Sequence, residues 1–411
     1  MSIPACRFCR EPLSRTFCDL GGTPLSNGFL AADQLAQPEP VYPLHARVCG
    51  ACYLVQVEAL EAPASIFDAS YPYFSSYTEG WVRHAQRYVE DITARLQLHS
   101  ASRVIEIASN DGYLLQFFVE RGIPALGIEP AANCAAAALA KGVASWQRFF
   151  DSTTARKLVK QGLQADLLIG NNVLAHVHDL NGFVAGLRLA LKPGGTITLE
   201  FPHLLQLVKN RQFDTIYHEH FSYFSLGCVQ TIFRHHRLEI VDVDELPTHG
   251  GSLRVYVKHT QDAGAASERV AAVLENESGY GLHGDIAFYE AFDAQAAEVR
   301  KELLQYLLQA KSAGRRVAAY GAAAKGNTLL NYCDIDCTLI EYVADISPHK
   351  QGKYLPGSHI PVYSPDYLLA DKPDVVLILP WNIKDEVVKR MAAVREWGGT
   401  FVTPIPSVME V

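Results

Sequence analysis

The chain has 411 residues, of which 49% are hydrophobic, and its net charge is -8 at pH 7. This length is enough for two or three domains, each with a buried core. The acidic balance argues against nucleic acid as a partner, because neutralising phosphates requires a basic surface. No apolar run approaches the roughly 20 residues that cross a bilayer, so the composition predicts a cytoplasmic protein without a membrane segment.

Two CxxC pairs stand near the start of the chain. "CRFC" contains Cys6 and Cys9, and "CGAC" contains Cys49 and Cys52. In a reducing compartment, four thiolates in two such pairs favour tetrahedral zinc over disulfides. Since the protein would fill all four ligand positions, we expect the zinc to be structural. The spacer between the pairs is longer than in common zinc ribbons, and two redox or incidental pairs are the alternative.

The middle of the chain has the pattern of an α/β sheet. After a helical segment, "VRHAQRYVEDITARLQL", four short apolar runs alternate with further helical segments: "RVIEIA", "PALGIEP", "ADLLIG" and "TITLEF". Runs of this kind are typical of parallel strands that helices cover on both faces. "LEIVDVDEL" and "GSLRVYVKH" follow without a helix between them, which predicts an antiparallel pair at the sheet edge.

A second α/β unit follows a long predicted helix from Asp285 to Ala313. "RRVAAYGAAAKGNTLLNY" has the order strand, Gly-rich turn, helix, and three more strand-like runs come after it. We therefore predict an α/β protein with a small zinc module at 1–65, a central Rossmann-like sheet at 66–283 and a second Rossmann-like domain at 284–411.

The first strand of the central unit leads into a turn of small and polar residues that suits S-adenosylmethionine (SAM). Small residues let the backbone approach a ligand, and Glu129, at the end of the next strand, can bind both ribose hydroxyls. The fingerprint GxGxxG is absent, so SAM fits better than NAD. The alternative is a plain turn and a solvated acid. The predicted SAM-binding residues are Glu106, Ala108, Asn110, Asp111, Gly112, Glu129, Pro130, Asn171 and Asn172.

The turn of the second unit, "YGAAAKGNT", opens a helix and carries one lysine. Free backbone N–H groups at a helix start, together with a lysine, form an anion site that can receive the pyrophosphate of a nucleotide sugar. An acid at the end of the next strand can reach a ribose. A purely structural turn with solvated lysines is the alternative. The predicted substrate-binding residues are Gly321, Lys325, Gly326, Asn327, Asp345, Lys350 and Lys353.

The stretch "IYHEHFSYFSL" places Tyr217, His218, Glu219 and His220 side by side. Locally, a catalytic cluster and a polar loop beside an aromatic core explain it equally well. If the segment is extended, His218 points away from its neighbours, so we leave it out of the predicted site.

These motifs together resemble a known family, the SAM-dependent C-methyltransferases of nucleotide-linked 4-keto deoxysugars in antibiotic and surface-polysaccharide pathways. The likeness covers nearly the whole chain, through the paired cysteines and through "LGGTPLSNGFL", "YFSSYTEGW", "EIASNDGYLL", "GNNVLAHVHD", "YHEHFSYFS", "THGGSLRVY", "YGAAAKGNTLLN" and "LPWN". It implies a zinc-binding module, a methyltransferase domain and a Rossmann-like domain that holds the nucleotide sugar. The reaction-centre positions that it implies are Tyr71, His176, Tyr217, Glu219 and His220.

The chemistry of such a sugar assigns roles to these residues. A ketone at C4 acidifies the C3 proton, so a base can leave an enolate whose carbon takes the SAM methyl group. We expect His220 to be the base, because the pKa of an imidazole is close to neutrality. Glu219 orients it or binds a sugar hydroxyl, and Tyr217, together with His176, stabilises the enolate oxygen.

Several alternatives are left open at this point. An NAD-dependent nucleotide-sugar epimerase or dehydrogenase would need a dinucleotide fingerprint and a Tyr-x-x-x-Lys centre, and neither occurs. A zinc-ribbon binding protein with a degenerate enzyme core would need a basic surface. O- or N-methylation of a related sugar gives less reason for both a base and an enolate stabiliser. We expect a small-molecule substrate and a monomer, with a dimer left open.

Overall fold

The computed structural model describes residues 3–58 and 74–411. These residues form three sheets, and each sheet belongs mainly to one part of the chain. The first is a small antiparallel sheet with the strand order β1-β2-β3-β9. Its strands are β1 (Arg15–Thr23), β2 (Tyr42–Val48), β3 (Val55–Val57) and β9 (Ser222–Tyr223).

The zinc module is built around a tight turn that follows β2. Cys49 comes directly after the last residue of β2, its N–H donates to the carbonyl of Leu54, and its own carbonyl accepts from Tyr53 N–H. This turn returns the chain into β3 and holds Cys49 and Cys52 at one end of the sheet. The turn therefore brings the second CxxC pair close to the first.

The central sheet has the strand order β10-β11-β8-β7-β4-β5-β6. Strands β8, β7, β4, β5 and β6 run parallel, whereas β11 is antiparallel to both β8 and β10. The predicted parallel strands and the predicted antiparallel edge pair are thus confirmed. The strands are β4 (Val104–Ile107), β5 (Ala125–Ile128), β6 (Ala144–Trp146), β7 (Ala165–Asn171), β8 (Leu191–Pro202), β10 (Leu238–Leu246) and β11 (Ser252–His259).

Helices cover this sheet, as its buried parallel strands require. The first of them has the apolar spacing seen in the sequence and buries Ala85, Tyr88, Val89 and Ile92. The helices are α1 (Glu79–Leu96), α2 (Gln116–Glu120), α3 (Ala132–Ala140), α4 (Ser152–Lys160), α5 (Leu180–Ala190), α6 (Leu204–Lys209), α7 (Leu226–His235) and α8 (Glu268–Tyr280).

The third sheet has the order β14-β13-β12-β15-β16-β17 and is parallel except for β17. Its strands are β12 (Val317–Tyr320), β13 (Val343–Ala344), β14 (Val362–Tyr363), β15 (Val375–Ile378), β16 (Thr400–Thr403) and β17 (Met409–Glu410). Its helices are α11 (Ala324–Tyr332), α12 (Pro365–Asp371) and α13 (Lys384–Arg390).

The connection into the third sheet differs slightly from the prediction of one helix. It consists of α9 (Ile286–Glu290) and α10 (Phe292–Ser312), with Ala291 between them. Asp285 caps α9, since its carboxylate accepts from Ala287 N–H. The backbone of Ala291 stays in the right-handed helical region, so the break changes little of the expected path.

The strand order reverses at one point among the parallel strands of each large sheet, and the space outside the carboxyl ends of the strands there is called the crevice below. In the central sheet, β4 pairs with β5 on one side and with β7 on the other, and in the third sheet β12 pairs with β13 and β15. Open α/β sheets bind ligands outside the carboxyl ends of the strands at such points. The predicted site residues that follow β4, β7 and β12 therefore border these crevices.

One apolar core joins the three parts of the chain. It contains Phe17 of the zinc module, Phe213 and Phe221 of the central part, and Tyr289 and Leu377 of the final part. The proposed division at 65 and 283 stays a prediction. Among the residues described, none of the helices is both long enough and apolar enough to span a bilayer.

Candidate active site

The turn after β4 has an unusual backbone. Ala108, Asn110 and Gly112 have positive φ angles of 55°, 49° and 74°. Residues other than glycine rarely adopt this backbone conformation, and holding one there costs of order 1–3 kcal/mol. Alternate residues thus have the backbone that a G-x-G-x-G sequence would adopt, although only the last one is a glycine. This local strain marks the turn as a candidate ligand site.

Glu129 stabilises this turn from the end of β5. It is only 4% exposed, and its two carboxylate oxygens accept from the N–H groups of Asn110 and Ala131, each at 2.8 Å. Burial raises the pKa of Glu129, while the two amides oppose that shift. Pro130 follows it directly. Since a carboxylate oxygen can accept more than one hydrogen bond, Glu129 is still able to bind ribose hydroxyls.

The other predicted residues of the turn make different contacts. Glu106 is fully buried within β4, and burial raises its pKa well above the usual range. The carboxylate of Asp111 accepts from Lys141 at 2.9 Å and from the hydroxyl of Ser76. The side chain of Asn110 accepts from Ser75 N–H at 2.9 Å. Ser75 and Ser76 thus donate hydrogen bonds to the turn, and the hydrogen bonds of Asp111 hold the turn in place.

Asn171 and Asn172 lie at the carboxyl end of β7, on the other side of the crevice. Asn172 has a φ of 51°, its N–H donates to the carbonyl of Glu200, and its side-chain amide donates to His249 Nε2 at 3.0 Å. The side-chain oxygen of Asn171 is buried without a hydrogen-bond partner among the described residues. Both asparagines thus lie at the carboxyl end of the strand, as the sequence predicted.

The YHEH segment forms a turn, so the extended conformation considered for it is wrong. His220 N–H donates to the carbonyl of Tyr217 at 2.9 Å, and this turn brings the two side chains together. The ring of His220 is fixed at both nitrogens. Nδ1 lies 2.9 Å from the carbonyl of Thr215, which can only accept, so Nδ1 carries the hydrogen. Nε2 therefore accepts from the Tyr217 hydroxyl at 2.7 Å.

His176 packs against this pair from the turn after β7. Its ring centroid is 4.8 Å from that of His220. Burial lowers the pKa of His176 to about 4. Burial also lowers the pKa of His220 well below its ordinary value, and His176 adds to this shift. His220 is therefore neutral at pH 7, with its Nε2 lone pair directed at a hydroxyl.

Glu219 and His218 leave the turn in different directions. Glu219 accepts from the side-chain amide of Asn27 in the zinc module at 2.6 Å, and burial raises its pKa. His218 is buried and its Nε2 donates to the carbonyl of Pro43 at 3.2 Å, which agrees with leaving it out of the site. Tyr71, the remaining predicted catalytic residue, lies outside the described residues.

The turn after β12 is held by an acid in the same way as the turn after β4. Asp345 follows β13, and its carboxylate accepts from the N–H groups of Ala322 and Ser347, each at 2.7 Å. Gly321 has a φ of 89°, and a Cβ there would lie 2.5 Å from Pro380. The ammonium of Lys350 donates to the carbonyl of Ala322 at 2.7 Å. Asp345 and Lys350 thus shape the turn itself.

The remaining predicted substrate-binding residues differ in their exposure to solvent. Lys353 is exposed. Gly326 and Asn327 are buried in α11: a Cβ on Gly326 would lie 2.9 Å from Leu379, and the Asn327 amide donates to the carbonyl of Ser26 at 2.6 Å. The side-chain oxygen of Asn327 has no hydrogen-bond partner in the described part of the chain. Gly326 and Asn327 therefore pack α11 against its neighbours.

Lys325 points from α11 toward the central domain. Its ammonium donates to Asn382 at 2.7 Å and lies 4.3 Å from the centroid of the Trp381 ring. The indole N–H of Trp381 donates to Asp214 at 2.7 Å. Asn27, His249 and Trp381 were absent from the predicted site, although "LSNGF", "THGG" and "LPWN" contain them.

The four paired cysteines form one cluster whose sulfur atoms all lie within 4.8 Å of one another. Cys6 Sγ is 3.6 Å from Cys52 Sγ, and Cys9 Sγ is 3.5 Å from Cys49 Sγ. A tetrahedral zinc ion with Zn–S bonds of about 2.3 Å separates its sulfurs by about 3.8 Å. The donors thus fit zinc in kind, number and spacing. Gln56 donates to Cys6 Sγ at 3.3 Å and so orients this ligand.

Comparison with known proteins agrees with this geometry. Three family models match successive parts of the chain: "Putative zinc binding domain" at residues 6–67, "Methyltransferase domain" at 81–243 and "C-methyltransferase C-terminal domain" at 247–406. The C-methyltransferase NovU of Streptomyces niveus is 33% identical over 404 residues, which is 98% of this chain and 96% of NovU. The chain belongs to the C-methyltransferase family.

This C-methyltransferase is therefore a SAM-dependent enzyme with a four-cysteine zinc module, a class I methyltransferase sheet and a second α/β domain. The predicted resemblance, fold class, enzyme class and cofactors are confirmed. The dehydrogenase or epimerase and the non-enzymatic zinc-ribbon protein do not agree with this family.

Two solved methyltransferase structures are similar to less than half of the chain. Magnesium protoporphyrin IX methyltransferase from Synechocystis PCC 6803 with bound SAM is 13% identical, with a TM-score of 0.32 over 43% of this chain and 80% of that one. A SAM-dependent methyltransferase from Clostridium acetobutylicum ATCC 824 is 12% identical, with a TM-score of 0.32 over 44% of this chain and 92% of that one.

Proposed function

We propose that this C-methyltransferase transfers a methyl group from SAM to C3 of a nucleotide-linked 4-keto deoxysugar. The observation that carries the proposal is the neutral His220, whose Nε2 is an acceptor beside the Tyr217 hydroxyl. Transfer to carbon requires a carbon nucleophile, and removal of a proton next to a ketone provides one. A base paired with an adjacent hydroxyl donor is the arrangement that this step needs.

His220 and Tyr217 act together in the proton transfer of this step. His220 Nε2 takes the C3 proton, and the electron pair of that C–H bond forms the C3–C4 double bond and leaves the negative charge on O4. Nε2 then carries a hydrogen and becomes a donor, so the hydroxyl hydrogen of Tyr217 is free to turn toward O4. When bound, SAM would supply an electrophilic methyl group, which C3 takes as the negative charge returns from O4. The electron pair of the broken S–CH3 bond stays on sulfur, which leaves as S-adenosylhomocysteine, and His220 then loses the C3 proton to solvent.

Glu219 and His176 support this pair in the proposed mechanism. Glu219 is held by Asn27 at 2.6 Å, so its carboxylate has a fixed place from which to bind a sugar hydroxyl. His176 lies against His220 and its low pKa keeps it neutral. Because His176 is uncharged, it does not repel His220 as a second imidazolium would when His220 takes a proton. Tyr71 is proposed as a fifth member from the family resemblance.

The binding sites follow the two crevices. We assign SAM to the turn after β4 and to the strand ends around it, through Glu106, Ala108, Asn110, Gly112, Glu129, Pro130, Asn171 and Asn172, with Asp111 as its anchor. The nucleotide sugar is assigned to the turn after β12. The start of α11 points backbone N–H groups toward this turn, which favours an anion. The domain division at 65 and 283, a monomer and a cytoplasmic location complete the proposal.

Hydrogen exchange at C3 tests this proposal directly. The purified protein is incubated in deuterated water with a panel of dTDP- and UDP-linked 4-keto-6-deoxysugars, and deuterium at C3 is followed by NMR. Wild-type protein should exchange C3 without SAM and form a C3-methyl product with it. His220→Ala should lower exchange by at least about 100-fold, as loss of a general base typically does. The exposed His99→Ala is the matched control.

The outcomes separate the base from the reaction. If His220→Ala exchanges C3 at the wild-type rate, the base is another residue, and the next candidates are Glu219 and His176. If wild type exchanges no member of the panel and methylates oxygen or nitrogen instead, the proposed reaction is wrong.

A further inference from the structure

Two residues of the segment after β15 hold the ammonium of Lys325. Its ammonium donates to Asn382 at 2.7 Å and lies 4.3 Å from the centroid of the Trp381 ring, which is a cation–π distance. It is one residue inside the start of α11, yet its ammonium is turned onto these two side chains rather than left on the open turn. The position of this charge is therefore set by Trp381 and Asn382.

Trp381 contacts two segments of the central part of the chain, one that leads to His220 and one that contains His249. Its indole N–H donates to Asp214, and Asp214 lies beside Thr215, whose carbonyl accepts from His220 Nδ1. The six-membered ring of Trp381 fits against Gly250, where a Cβ would lie 2.6 Å from it. Gly250 directly follows His249. Lys325 thus packs on the ring that contacts both of these segments.

Electrostatics agrees with this placement. The positive charge of Lys325 contributes to the low pKa of His220 and of His249. Burial lowers the pKa of Lys325 to about 8, and the carboxylate of Asp214 opposes this shift. Most Lys325 side chains thus carry a charge at pH 7. A half-buried charge at this point repels a protonated base but attracts an anion that forms on the substrate.

We propose that Lys325 is a catalytic residue whose ammonium donates a hydrogen bond to the C4 oxygen of the sugar as the enolate forms, and that it does not bind the pyrophosphate. This inference rests on the proposed function, because it needs a keto sugar at the reaction centre. The oxygen would then receive two donors, the Tyr217 hydroxyl from the central domain and Lys325 from the final one. Lys325 stays protonated throughout, so the proton count of the reaction does not change.

The two roles of Lys325 predict different kinetics. As a donor to the enolate, it acts on the rate of C–H cleavage, and its loss should cost about 10²–10³ in rate, as for one donor of an oxyanion site. As a pyrophosphate ligand, it would act on binding of the nucleotide and leave exchange at saturating substrate unchanged. Exchange of C3 at saturation and the Kd of the free nucleoside diphosphate distinguish the two.

The experiment uses full-length Lys325→Met and Lys325→Arg. Deuterium exchange at C3 is measured at saturating 4-keto-6-deoxysugar, and the Kd of dTDP and of UDP is measured by calorimetry. We expect Lys325→Met to exchange at least about 100-fold more slowly, with nucleotide Kd within about threefold of wild type. Lys325→Arg keeps a charge and should lose less. The exposed Lys311→Met is the matched control.

Each result distinguishes the role of Lys325 as a donor to the enolate from its role as a pyrophosphate ligand. Wild-type exchange rates at saturation in both variants, with a nucleotide Kd at least tenfold weaker, would overturn the assignment and restore the pyrophosphate role. Unchanged exchange and unchanged Kd would overturn it as well. If wild type itself exchanges no 4-keto sugar, the proposed function fails and the role of Lys325 fails with it. Nucleotide binding also shows whether Lys325→Met has folded.

Discussion

At the scale of single residues, the contacts of His220 explain its protonation state. Its Nδ1 is committed to the Thr215 carbonyl, and burial together with the nearby His176, His249 and Lys325 lowers its pKa well below the usual value of roughly 6.5. A histidine whose pKa is lowered in this way stays neutral as the pH falls through 6.5. The base form is therefore present at pH values where an exposed histidine would already be protonated.

This gives a prediction for the pH dependence of the enzyme. We expect kcat/KM for methyl transfer to be level from about pH 7 down through pH 6.5 and to fall at more acidic pH, as His220 takes a proton in the free enzyme. The measurement is a pH profile of kcat/KM in constant-ionic-strength buffers, with SAM saturating. An acid limb centred at pH 6.5 or above would contradict the neutral, buried base.

Asn27 is a second residue with a testable role, because it holds Glu219 from another part of the chain. A hydrogen bond to a charged group is worth roughly 1.5–3 kcal/mol, so Asn27→Ala should lower kcat/KM by about 10- to 100-fold. Asn27→Asp should be worse, since it places two carboxylates side by side and favours protonation of one. The measurement is steady-state kinetics from pH 6 to 9.

A positioning role for Asn27 requires a specific pH signature. The loss in Asn27→Asp should shrink as the pH falls, because protonation of the pair restores a hydrogen bond. SAM binding and zinc content serve as controls and should match wild type. A loss that is the same at every pH, or that is accompanied by loss of zinc, would point to a folding defect instead.

The sequence identified the residues of the YHEH cluster but not their geometry. The types Tyr217, Glu219 and His220 already indicated proton transfer. The contact between Tyr217 and His220 depends on a turn with a hydrogen bond from residue 220 back to 217, which the local pattern did not show. In an extended segment these two side chains would point to opposite faces. The turn is stabilised by long-range packing, which single-residue patterns do not encode.

At the scale of elements, the strands were predictable because continuous apolar runs are characteristic of buried parallel strands. The turn after β4 was harder to identify. Its backbone has positive φ at residues 108, 110 and 112, but only the last is a glycine, so the usual glycine signal is missing. Glu129 compensates by accepting the Asn110 N–H. An acid at the next strand end was the informative sign, and it also appears in the second turn as Asp345.

This backbone makes a prediction about substitutions at Ala108. Ala108→Gly removes the Cβ strain at φ 55°, so SAM affinity should stay within about threefold of wild type. Ala108→Val places a β-branched side chain at the same angle, which is strongly disfavoured, and should weaken SAM binding by at least about tenfold. Calorimetric titration with SAM measures both. Equal affinities in the two variants would show that backbone conformation is not what limits binding here.

At the scale of the whole molecule, the zinc module packs against the YHEH turn and the strand that follows it. β9 follows the YHEH turn directly and pairs with β3, through Val55 opposite Tyr223 and Gln56 opposite Ser222. Arg7, inside the first CxxC pair, donates to the carbonyl of Val57 at 3.0 Å and to the hydroxyl of Ser222 at 3.1 Å. No local sequence pattern could show that a module at residues 3–58 completes a sheet with residues 222 and 223.

Zinc removal tests this connection. Without the ion, the four thiolates no longer hold the end of the β2–β3 turn, so the β3 and β9 pairing and the place of the YHEH turn should loosen. The SAM turn depends instead on β4, β5 and Glu129, which lie in the central sheet. We therefore expect zinc-free protein to bind SAM within about threefold of wild type but to exchange C3 at least about tenfold more slowly.

The design needs both readouts on the same sample. Zinc is removed by a chelator, its loss is confirmed by elemental analysis, and re-addition of zinc should restore exchange. Cys49→Ser gives an independent version of the same defect, and Cys337→Ser, at an exposed cysteine outside the cluster, is the matched control. Full exchange in zinc-free protein would show that the turn is held without the metal. Loss of SAM binding together with exchange would show that zinc supports the central sheet as well, so the two functions would not be separable in the way that the strand pairing implies.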